Sequence, residues 1–139
     1  MPNPLAVEQY HDDFQIISEL LVAPVTGTAL LYAERDTVID AIYMGVSVVG
    51  TASASLQIVK TTSGTLTTPA SAIAATVAAG TALHTAQLIT TGGTFSPTLT
   101  TPSLDTNLIK AGNWVGVVVV GTVTSAAVLV QFRVRSRVA

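Results

Sequence analysis

The chain contains no cysteine. Disulfides and thiolate metal sites are therefore excluded, and the redox compartment stays open. Charge is nearly as scarce. Asp, Glu, Lys and Arg make up 10% of the residues, against about 25% in an ordinary globular domain. Aromatic residues are few, at 5%, while hydrophobic residues reach 49%. A core must then be built from Val, Ile, Leu and Ala, and Thr and Ser must supply much of the polar surface unless other chains cover part of it. No apolar run approaches the roughly 18 residues of a membrane-spanning helix. The longest, residues 115–120, is of strand length. The opening MPNPLAVEQYHDD has no basic stretch followed by an apolar one, so a soluble protein made in the cytosol without a cleaved leader is expected.

The few charges are unevenly placed. Glu8, Asp12, Asp13, Glu19, Glu34, Asp36 and Asp40 face only Arg35 in the first forty residues, whereas Arg133, Arg135 and Arg137 crowd the other end. These two groups could pair within one chain or between copies, or simply be solvated. Three arginines on one strand of a net acidic chain do not make a nucleic-acid footprint.

With 139 residues the chain fits one domain with one sizeable core. Residues 114–120 (WVGVVVV) and 127–134 (AVLVQFRV) are rich in β-branched side chains, which suit pleated, packed surfaces. In the second run Val128, Val130, Phe132 and Val134 share one parity; Leu129, Gln131, Arg133, Arg135 and Arg137 share the other. That is a half-buried strand with a cationic outer face. The first run is apolar on both parities and is expected to be covered on both sides. The short polar link at residues 121–125 predicts that the two runs pair as a hairpin at the centre of the fold.

The rest of the chain reads as short strands divided by Gly, Ser, Thr and Pro turns. Residues 14–22 are apolar enough for a docked strand, behind a proline-started arm. Strands are predicted over 28–33, over 38–49 with a bend at Gly45, over 53–61 with Leu56 and Ile58 inward, and over 82–90. Residues 69–79 are Ala-rich between Pro69 and Gly80, which predicts a short helix or, failing that, a strand or loop on an apolar face. The predicted class is all-β: a jelly-roll-like antiparallel β-sandwich of about eight strands with at most one short helix and an extended N-terminal arm. Residues 1–24 form the arm and residues 25–139 the sandwich.

Catalytic chemistry finds little foothold. His11, Asp12 and Asp13 are adjacent on the arm, and neighbours in sequence rarely converge on one ion without further ligands. His84 reads as a hydrogen-bonded strand residue. Asp36 and Asp40 could form a carboxylate pair, but nothing complements them as an acid–base set. No G-x-S-x-G elbow occurs, and Thr91-Gly92-Gly93-Thr94 leads to no phosphate-binding lysine. Trp114 could serve as a sugar platform, although core or interface packing suits its place at the start of an apolar strand better. No enzyme activity, metal or cofactor is expected.

A set of fold marks remains: the alternating strand over residues 36–50, the short strand over 53–60 ending in Lys60, and the stretch Gly80-Thr81-Ala82-Leu83-His84-Thr85-Ala86. A Thr-rich connection follows, then the turn Lys110-Ala111-Gly112-Asn113 before the last two apolar runs. In this order of pieces the chain resembles the small decoration, or head-cement, proteins of tailed bacteriophages, from about Val25 to Val138. Such sequences often carry Gly-Asp where this one has Gly112-Asn113. The resemblance implies a jelly-roll-like homotrimer in the virion, on the capsid exterior, where it binds the phage major capsid protein and stabilises the shell. It implies no nucleic-acid, membrane or small-molecule partner. The interface residues expected on this reading are Phe14, Ile16, Leu20, Trp114, Arg133, Arg135 and Arg137. The alternatives are a head-fibre base or tail-tip receptor-binding module, or a carbohydrate-binding domain using Trp114 or Tyr43.

Overall fold

The structure is a computed structural model that describes residues 14–61, 70–99 and 107–136. His11, Asp12, Asp13, Pro69 and Arg137 lie outside the described residues. Among the described residues ten strands and one helix follow one another as β1 (Gln15–Val22), β2 (Ala29–Tyr32), β3 (Thr37–Val48), β4 (Thr51–Lys60), α1 (Ala70–Ala78), β5 (Thr81–Ala82), β6 (Gln87–Leu88), β7 (Gly93–Phe95), β8 (Leu108–Ile109), β9 (Trp114–Thr122) and β10 (Ala127–Ser136). The front sheet has the order β1-β10-β3-β7, with β8 also on β3. The back sheet has the order β2-β9-β4-β5, with β6 also on β4. All pairings are antiparallel.

The short strands explain the count of ten. β5 and β6 both pair with β4, and β7 and β8 both pair with β3. Taken as two interrupted strands, they leave four strands per sheet. The neighbours β1:β10, β2:β9, β3:β7/β8 and β4:β5/β6 are then the rungs of one long antiparallel ribbon rolled on itself, which is the jelly roll. The all-β sandwich read from the sequence is the observed fold.

The last two runs do not form a hairpin. β9 pairs with β2 and β4, while β10 pairs with β1 and β3. Gly121, at φ 84°, leads into a link that carries the chain from one sheet to the other. Each strand is central in its own sheet, so both are apolar, and rolling the ribbon forbids them from pairing with each other. Residues 15–22, grouped with the arm in the sequence, are the edge strand of the front sheet, paired along their whole length with β10.

The core lies between the sheets. Ile39, Ile42, Met44, Leu56, Ile58, Val115, Val117, Val128, Val130 and Phe132 are at most 1% exposed. β3 changes phase twice: the first change keeps both Ile39 and Ile42 inward, and the second turns Val48 outward. Its pairing with β10 slips between Ile39 and Ala41 and again between Val46 and Val48, so the bulges are at Asp40 and Ser47 and not at Gly45. A bulge sets two residues against one and re-aims a side chain.

The helix covers the outer face of the back sheet. Gly116 sits opposite Val59 in the β4–β9 register, and a Cβ on Gly116 would come within 2.8 Å of Val77 Cγ2. The bare glycine is the seat of α1. Val59, which points away from the core, is thereby buried. Gly80 does not cap the helix in a left-handed conformation; what it needs is space, since a Cβ there would meet the Lys60 carbonyl at 2.5 Å.

Candidate functional site

Of the expected interface residues, five are gathered on one surface. Phe14, Ile16 and Leu20 stand on the outward side of β1, and Arg133 and Arg135 on the outward side of β10. Ile16 is the register partner of Arg133. The Arg133 guanidinium lies over the Phe14 ring at 5.1 Å, within cation–π range. Trp114 belongs elsewhere. It is in the back sheet, 8% exposed, with its ring edge-on to Tyr32 at 5.3 Å. It packs the molecule and offers no open platform.

The arginines meet an acid of their own chain. Asp40, turned outward by the bulge, accepts from Arg133 Nε at 2.7 Å and from Arg135 Nε at 3.0 Å. That hydrogen bond and the Asp40 charge raise the Arg133 pKa further above its ordinary value. Asp36 and Asp40 do not act as a pair, because Asp36 accepts from the Ala111 N–H at 3.0 Å and braces the turn before β9.

At the other end of this face the charges stop. Leu20, Val22, Val48 and Leu129 are exposed on β1, β3 and β10, together with Tyr43. Between them Gly45 floors an open groove of about 370 Å³, walled by Tyr43, Phe95, Leu129 and Gln131. Among the described residues no helix or strand covers the outer face of the front sheet, whereas α1 covers the back one. Of these residues the sequence marked Leu20 as an expected interface residue, Tyr43 as a possible sugar contact, and Leu129 as the apolar side chain on the outward parity of β10. Val22, Val48 and the Gly45 groove carry no local signal; they become neighbours only through strand order.

His84 is fully buried. Its Nε2 accepts from the Ile58 N–H at 2.9 Å, and its Nδ1 donates to the Thr85 carbonyl at 2.6 Å. Both ring nitrogens are satisfied only in the neutral form with the proton on Nδ1. Burial pushes its pKa below the ordinary value, partly offset by the bond to Thr85. The ring fills the gap between β5 and β6, giving β4 a side-chain partner where a backbone one is missing. Among the described residues no three His, Asp or Glu side chains converge to hold a metal ion.

The candidate site is thus one open sheet face, apolar at one end, with the Asp40 ion-pair cluster at the other. No family model, curated protein or solved structure matches this chain.

Proposed function

We propose that this protein is a structural component of a virus particle, a decoration protein that binds the outer surface of a tailed-phage capsid and stabilises the shell. The observation that carries this reading is the open outer face of the front sheet. Its exposed Leu20, Val22, Val48 and Leu129 form an apolar patch, and contiguous apolar patches mark protein contact surfaces. The jelly roll, and an order of sequence pieces that resembles that of decoration proteins, support the same reading. On it the protein acts by binding and needs no cofactor.

Co-sedimentation with purified heads and empty shells tests the proposal. Wild type is expected in the shell pellet, and Leu129→Asp in the supernatant. A wild type that stays with the supernatant at every concentration removes the reading. A head-fibre or tail-tip module would use the same face, and labelling in virion images separates these by position. A carbohydrate-binding reading loses Trp114, which is buried against Tyr32, and keeps only Tyr43.

A further inference from the structure

The outer face of the front sheet carries a knob and a hole in one cross-strand row. Leu20, Leu129, Gly45 and Thr94 are successive register partners across β1, β10, β3 and β7. Leu20 projects, 62% exposed. The Gly45 groove is open, for an added Cβ there would meet only the Leu129 Cβ at 3.9 Å. Adjacent strands are about 4.8 Å apart, so knob and hole lie equally far on either side of Leu129. A twofold axis along β10, in the plane of the interface, exchanges them.

We propose that a second copy of this chain docks on this face about that axis, each Leu20 entering the Gly45 groove of the other copy. The same operation matches the neighbouring rows. Val22, Ala127 and Val48 form one row, so Val22 of one copy meets Val48 of the other; they are 68% and 47% exposed. Ser18, Gln131 and Tyr43 form another, which sets the Ser18 hydroxyl over Tyr43 and the two Gln131 amides against each other. An interface of this kind is isologous: one patch serves both partners.

Charge agrees with it, and area limits its strength. These three rows hold no acidic or basic side chain, so closing them desolvates no ion pair. Asp40, Arg133 and Arg135 sit at the far end, with Arg133 about 13 Å along β10 from Leu129. The axis also sets the two Arg133 ends facing each other, and each brings its own counter-charge in Asp40, which accepts from Arg133 and Arg135 of the same chain. Over the five residues that these rows span, three strands cover roughly 240 Å² in plan. Even with side-chain relief two copies together bury less than the ~1,000 Å² of a specific interface. The expected complex is therefore a weak, transient dimer, with Kd of about tens of micromolar or above.

This inference rests on reading the face as an assembly surface; because it covers the Leu20–Leu129 patch proposed for the shell, the second copy and the shell compete for that face. Sedimentation equilibrium of the full chain, from low to high micromolar, tests it. Wild type should pass from monomer to dimer mass. Leu20→Ala and Gly45→Leu should each weaken association by about tenfold or more, while Gly45→Leu keeps its thermal unfolding midpoint. The double variant Leu20→Ala/Gly45→Leu should recover dimerisation, because the axis places the new leucine over the new alanine. A monomer throughout, a trimer mass, a dimer insensitive to Gly45→Leu, or a double variant that stays monomeric each overturns the proposal. Shell binding by a wild type that remains monomeric would overturn the dimer alone. A dimer that ignores shells would leave the dimer standing and remove the shell reading.

Discussion

His84 shows how one buried side chain sets a pH dependence. The unfolded chain takes up a proton near 6.5, and the folded protein only at lower pH because burial disfavours the charged ring. Between those values the unfolded state binds more protons, so stability falls as pH drops through 6.5 and levels off once the folded ring is also charged. Above that window the ring is neutral in both states and adds no slope. His84→Gln, which keeps an acceptor for the Ile58 N–H, is expected to flatten the unfolding midpoint between about pH 5 and 7. A wild-type slope unchanged in the variant would refute the assignment. Phe132 is a simpler case. It is wholly buried on the inward parity of β10, so Phe132→Ala should cost about 3–5 kcal/mol in chemical denaturation. Two threonines show what the abundant hydroxyls do. Thr26 Oγ1 accepts from the Val119 N–H at 3.0 Å, and Thr61 Oγ1 from the Trp114 N–H at 3.0 Å, so each stands in for a backbone partner of β9.

Elements were legible where side chains alternate and illegible where the answer depends on a distant strand. The inward set of β10, the inward Leu56 and Ile58 of β4 and the helix over residues 70–78 all follow from local pattern. The pairing of β9 does not. A short polar link is compatible with a hairpin or with a step between sheets, and only the rolled topology decides. The bulge at Asp40 left a trace, since Ile39 and Ile42 are both inward yet three apart. That trace becomes a statement about Arg133 and Arg135 only once β3 is known to lie beside β10. The outer groove was hidden for the same reason. Helix α1 yields a prediction at this scale. Gly116→Val would drive a Cβ against Val77 Cγ2 at 2.8 Å and the Thr28 carbonyl at 3.1 Å. Overpacking of this kind costs about 1–3 kcal/mol. The expected result is a lower unfolding midpoint together with faster proteolysis within residues 70–78, both absent in a Gly45→Val control.

At the scale of the molecule, the rolled ribbon ties the two ends of the chain together, because β1 near the start pairs with β10 at the end. This divides the N-terminal region at residue 14. Residues 15–22 are part of the front sheet: Leu21 is 4% exposed and joins the core, and Ile17 packs against it. Burying a Leu side chain is worth about 1.5–3 kcal/mol, and β1 adds a partly buried Ile and an eight-residue ladder to that. A domain of this size is stable by only about 5–15 kcal/mol, so loss of β1 removes a large share of the total. It also bares the edge of β10, a strand with an apolar inner row and ready to pair with another chain. Deleting residues 2–13 removes none of the ten strands. That variant should unfold at the wild-type denaturant midpoint, with an unchanged dependence on denaturant. Deleting residues 2–22 should give a protein that aggregates or melts without a cooperative transition. If the longer deletion unfolds cooperatively near the wild-type midpoint, β1 is an appendage to the sandwich and its apolar outer face, Leu20 included, cannot be held rigidly enough to serve as an interface.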